Sequence, residues 1–237
     1  MAIWTTIFYQ PLWNILVGLY NVLPGHDIGL VIIILTIIIK IVLFPFTLQG
    51  LRSQKALQDL QPKVDELKAR YKNDKEALAK EMMALYKREK VSPASSCLPL
   101  LIQLPILLAL FQVLRAGLGN PPAELLYPFI SDPHGINTIS FGFLDLSKVN
   151  IPMAIVAGAV QFWQTKMLQT KKVPAEVKDL PVARDETIMT TMNKQMLYVM
   201  PVMTVVIGVG LPGGLMLYWL VTSLLTVFQQ KYFLDKK

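Results

Sequence analysis

The feature that most limits what this chain can fold into is a set of five stretches almost without charge. They are Gly29–Leu48, Leu98–Leu114, Val149–Met167, Met196–Leu211 and Gly213–Gln229. A helix that crosses a bilayer needs roughly 20 mainly apolar residues, so each run reads as a spanning helix. Charged residues make up only 16% of the chain, against about 25% in a soluble domain, and they crowd between the runs. The expected fold class is an all-α integral membrane protein of five transmembrane helices. The five runs and their loops use up the 237 residues, leaving one domain over 28–237 behind an N-terminal segment, 1–27.

The positions of the cations orient the helices, because Lys and Arg concentrate on the cytoplasmic side. Of the 23 Lys and Arg, eleven fall in 49–95, six in 166–195 and three in the tail, but only Arg115 and Lys148 lie in 115–150. Both basic loops and the C-terminus are therefore expected in the cytoplasm, with 115–150 and the tight 211–214 turn outside. Ile3–Leu23 carries no charge and either crosses the membrane or lies on it. Thr6, Gln10, Asn14 and Asn21 fall on an arc of about 80°, a narrow polar stripe, and Trp4, Trp13 and Tyr20 suit the headgroup level. This pattern favours an amphipathic interfacial helix on the outer face.

Residues 49–95 should form a cytoplasmic helical hairpin. Pro62 suits a first helical position, Asn73-Asp74 supplies a turn and an N-cap, and Val64, Leu67, Tyr71, Leu78, Met82 and Leu85 form a thin apolar seam. Such a hairpin is either a solvated surface or a landing site for anionic headgroups, ribosomal RNA or a nascent chain.

Lys40 lies eleven positions into GLVIIILTIIIKIVLFPFTL, about 16 Å along a helix. A lysine at mid-bilayer costs about 2.5–3.5 kcal/mol. Either it snorkels toward the headgroups or a hydrated, protein-walled cavity surrounds it. Thr36 shares its face. Trp219, Thr222, Ser223, Thr226 and Gln230 form a polar stripe on the last run, and Gln161, Gln164, Thr165 and Gln103 add polar groups on others. Singly these would be interhelical hydrogen bonds; together with a buried charge they outline a hydrophilic groove.

No Asp or Glu falls within a run, so a carboxylate proton relay is not expected. No Ser-His-Asp set or phosphate-binding glycine loop is visible, and catalysis of covalent chemistry is not expected. Cys97 is a lone cysteine at a helix start, and His26 and His134 lie outside the runs, so no metal site and no cofactor are expected.

The stretch QPKVDELKARYKNDKEALAKEMMALYKREKVSPASSCLPLLIQLPILLALF resembles the signature region of the YidC/Oxa/Alb membrane protein insertase family. LTIIIKIVLFPFT resembles that family's first span and LPGGLMLYW its last hairpin. The resemblance runs from about Ile3 to Phe233. It implies a five-helix bundle with a groove open to cytoplasm and lipid but closed outside. A positive residue on the first span would draw in the polar outer segment of a client, whose hydrophobic segment slides into lipid along the helices. Carried onto this chain, the client-binding groove consists of Lys40 and Thr36 with Gln103, Gln161 or Gln164, and Trp219, extended by Thr222, Ser223 and Thr226.

The family usually has arginine where this chain has Lys40, and a buried lysine, unlike arginine, can lose its proton. Hydration of the groove should keep it charged. The implied partners are nascent membrane proteins, the ribosome, the Sec translocon and the lipid bilayer, with no nucleic-acid sequence recognised. The implied location is a bacterial plasma membrane, in a compact form without a large outer domain, a long basic tail or a transit peptide. A small channel or transporter subunit, or a passive assembly protein, is the competing reading.

Overall fold

The computed structural model describes residues 2–71, 74–92, 98–117, 122–167 and 187–235. The expected Asn73 turn, Cys97 and most of the second basic loop fall outside these residues. A helical lead-in, Ala2–Trp4, and a π-turn, Thr5–Tyr9, run into α1 (Gln10–Val22). Then follow α2 (Ile28–Val42), α3 (Phe44–Arg70) and α4 (Lys75–Arg88). The remaining helices are α5 (Leu98–Gly117), α6 (Ile151–Met167), α7 (Thr187–Gly208) and α8 (Gly213–Asp235). Each uncharged run thus holds a helix.

The first run departs from expectation. It is not one straight helix over Gly29–Leu48, because the chain bends by 67° between α2 and α3. Pro45 causes the break: it has no N–H to give to Ile41, and its ring crowds the preceding turn, so α3 restarts with proline in its first turn. Among the described residues no single helix is long and apolar enough to cross a membrane, and only the bent α2–α3 pair taken together has the length and composition to do so. Lys40 therefore lies in the last turn of α2, not midway along a straight span.

The hairpin forms with one correction. Pro62 does not begin a helix but sits inside α3, whose neighbouring turns carry it past the one missing hydrogen bond. Asp74 caps α4, accepting from the Ala77 amide at 2.9 Å. Leu60, Val64, Leu85 and Tyr86 form the buried seam, flanked by Leu67 and Met82. Lys63 and Glu89 tie its arms at 2.6 Å, and the lysine's hydrogen bond holds the Glu89 carboxyl below its usual range.

The main core is apolar and unites α1, α2, the C-terminal half of α5, the loop before α6 and the start of α8. Trp13, Leu16, Ile32, Leu35, Leu110, Leu114, Leu146 and Leu215 are among its buried members. Trp13 is fully buried here, so its ring packs against protein and not against headgroups. The polar stripe of α1 faces protein: Asn14 bonds the Leu125 carbonyl and the Tyr127 amide, and Asn21 bonds the Ser131 carbonyl. A buried stripe of this kind fixes α1 to the loop, since each unpaired group would cost about 1–3 kcal/mol.

α6 packs against both α7 and α8, and small residues line its contact with α7. A Cβ on Gly158 would come within 2.6 Å of Val205, and one on Gly208 within 2.9 Å of Ala154. Such close backbone approach is how helices associate where lipid removes the hydrophobic drive.

Candidate functional site

Two chemically different ends define the site. At one end the apolar core is sealed by a β-hairpin, β1 (Ile139–Ser140) and β2 (Leu144–Asp145). Asp27, the N-cap of α2, accepts from the Gly29 amide at 2.8 Å, the Leu30 amide at 3.2 Å and the Phe141 amide at 2.6 Å. It also accepts from the Ser140 hydroxyl, which itself is fully buried. Phe141 has φ 54°, a conformation uncommon for such a residue, and the carboxylate holds its amide in place. Gly213 and Gly214 bond back to Lys148 and Leu146, closing the same end.

Burial works against charge on Asp27, but the Ser140, Phe141, Leu30 and Gly29 donors outweigh it and hold the carboxyl below its ordinary range. A depressed carboxyl pKa contributes stability above the unfolded-state value, near 3.9, and that contribution disappears as pH falls through the folded-state value. Acidification from pH 6 to pH 3 is thus expected to lower the melting temperature of the detergent-solubilised chain. Asp27→Asn should start lower and lose less over that interval. Parallel acid profiles for the two proteins would refute the assignment.

At the other end stand the polar residues. The Lys40 ammonium donates to Thr226 Oγ1 of α8 at 2.7 Å, and Thr226 donates in turn to the Thr222 carbonyl at 2.8 Å. The lysine is half-buried and turned toward α8. Thr36 is fully buried one turn earlier, its hydroxyl on the Ile32 carbonyl at 2.6 Å. Gln103 of α5 donates to the Tyr218 hydroxyl of α8. Ser223 is buried on α8, with Trp219 partly exposed beside it.

The expected residues therefore converge on α8 from α2 and α5. Gln161 is engaged elsewhere, accepting from Thr204 across the α6–α7 contact, and Gln164 lies one turn of α6 further on, partly buried. Tyr218 and Thr204 were not anticipated. Tyr218 adjoins Trp219 in an apolar run and reads as core, although a buried tyrosine hydroxyl normally finds a partner.

A mainly helical fold with one apolar, plugged end and one polar end carrying a lysine in a bent apolar helix defines a class of helical membrane proteins. The family described as 60Kd inner membrane protein matches residues 15–237. "Membrane protein insertase YidC" of Fusobacterium nucleatum is 39% identical over 211 residues, covering 89% of this chain and 87% of that protein. Proteins of the same name from Pelobacter propionicus and Streptomyces avermitilis are 33% and 32% identical. They align with 97% and 88% of this chain, which spans only 39% and 51% of their lengths. The solved structure titled "Active YidC insertase crystal structure with the first transmembrane domain resolved" aligns with a TM-score of 0.60 at 23% identity, over 97% of this chain and 46% of that one. It shares the fold. The chain belongs to the YidC/Oxa/Alb family of membrane protein insertases, whose matching description is that of an inner membrane protein and whose relatives named here are bacterial.

Proposed function

We propose that this chain inserts the hydrophobic segments of client proteins into the bilayer, with the polar end of the bundle as the entry groove. The pairing of Lys40 with Thr226 is the observation that carries this reading: it keeps a cation on the face of α2 turned toward α8 instead of on the face toward lipid. A client's polar outer segment is opposed in crossing by desolvation. A polar notch reaching partway shortens the apolar path, and the ammonium attracts acidic groups without a pocket tight enough to trap them.

The Asp27 anchor and the β-hairpin would keep the far side closed while this happens. In this orientation α2, α5, α6, α7 and α8 are the five spans, with the hairpin α3–α4 and the C-terminus in the cytoplasm and α1 at the outer face. Short apolar helices such as α2 would thin the bilayer locally. No nucleotide, metal or covalent step is needed. Ribosome and Sec translocon are the partners this role calls for, the hairpin being the exposed cytoplasmic surface available to them.

Reconstitution of the purified chain into liposomes tests the proposal. A single-span client with an acidic outer segment should integrate, protected from protease, without ATP. Ion conductance in the absence of client, with no integration, would favour a channel instead.

A further inference from the structure

A cleft of about 780 Å³ opens between the π-turn Thr5–Tyr9 and the end of α5 nearest the β-hairpin, away from the groove. Its size falls within the roughly 300–1,000 Å³ of small-molecule sites. Leu108 and Phe111 make the apolar wall, Thr5 and Tyr9 face them, and Leu125 closes one side. Gln10 and Asn14 both bond the Leu125 carbonyl, so that side is fixed. π-turns are rare and gather at functional sites, and here both ends of the turn line the cleft.

At the rim stand Gln112 and Arg115. Gln112 is held by the Trp4 indole at 2.8 Å. Arg115 is exposed, with its guanidinium 5.8 Å from the centre of the Phe111 ring, and it has no ion pair among the described residues. The other cation of this end, Lys148, is paired with Asp145 at 3.0 Å. Arg115 at the last turn of α5 suits the helix dipole, but that uses little of its five-donor fork. The apolar wall continues along α5 through the exposed Leu104 and Leu101.

We propose that this cleft binds one phospholipid of the outer leaflet, its phosphodiester on Arg115 and its upper acyl chain along Phe111 and Leu108. The leaflet rests on the orientation proposed above. A guanidinium matches phosphate oxygens in a two-point geometry, and in that orientation Trp4 and Tyr9 would lie on the side where aromatic residues meet headgroups. The long apolar wall favours a lipid over an acidic client segment, which would leave Leu108, Leu104 and Leu101 uncovered.

Native mass spectrometry of the full chain in detergent with added phosphatidylglycerol reads the site directly. Arg115→Gln should lower lipid retention at least about fivefold, Arg115→Lys should lower it less, and Leu108→Trp, which fills the cleft, should lower it with the charge intact. Melting temperatures of the variants establish that they are folded, and excess glycerol 3-phosphate should not displace the lipid. Equal retention by parent and Arg115→Gln, or displacement by glycerol 3-phosphate, overturns the proposal. So does unchanged lipid retention with weaker cross-linking of an acidic client at Leu108. Liposomes in which no client inserts, while lipid retention still depends on Arg115, count against the insertase reading alone.

Discussion

Lys40→Ala is expected to slow insertion of clients with acidic outer segments at least about tenfold, while Lys40→Arg stays within about threefold of the parent. A carboxylate about 4 Å from an ammonium interacts by about 4 kcal/mol at an effective dielectric constant near 20. Desolvation takes back part of this, and a surplus of about 1.4 kcal/mol already gives a factor of ten. Arginine keeps the charge and has donors to spare for Thr226, which Lys40 now engages at 2.7 Å. Clients whose outer segments are neutral should insert at the parental rate within about twofold. Thr226→Val removes the ammonium's hydrogen-bond acceptor, which water can replace, and the hydroxyl's bond to the Thr222 carbonyl, but leaves the charge in place, so its effect should be smaller. The readout is the protease-protected fraction of each client in liposomes against time. Equal loss for acidic and neutral clients with Lys40→Ala would mean a structural role for Lys40 and would remove it from the entry groove.

The parts of this site differ in how far sequence reveals them, for physical reasons. Uncharged length is a property of consecutive residues, so the helices of the five runs could be read directly. The bend at Leu43 could not be read from hydropathy, which carries no geometry, although Pro45 was a usable signal. Lys40 and Thr226 each stood out as polar within apolar runs, but their contact joins residues 186 positions apart. The stripe of Gln10, Asn14 and Asn21 looked like a face for water or headgroups; instead it bonds loop backbone more than 100 residues away. A polar stripe states that partners exist without stating which. The Gln161–Thr204 bond shows the same ambiguity, since a groove wall and an interhelical bond need the same side chain.

The closed end offers a second large effect. Gly29→Ala should destabilise the chain by about 1–3 kcal/mol, the usual penalty for overfilling a packed site, and should open the β-hairpin to protease. A methyl on Gly29 would lie 2.0 Å from Ser140 Oγ, 2.9 Å from the Phe141 ring and 3.0 Å from Ser140 Cβ. The serine hydroxyl cannot simply rotate away, because it donates to Asp27 while accepting from the Gly29 amide at 3.1 Å. Moving it therefore strips a bond from the carboxylate that positions Phe141. Ser140→Gly on its own should cost stability by losing that hydroxyl. In the Gly29→Ala background it removes the two Ser140 atoms in the way and leaves only the Phe141 ring to yield, so the two changes together should cost less than their sum. Melting temperatures of the four proteins form the cycle that measures this coupling, with nicking between residues 122 and 150 as the local readout. Strict additivity would show that Gly29 and Ser140 do not share this contact, and the plug would then have to be held by the Asp27 bonds and those of Gly213 and Gly214.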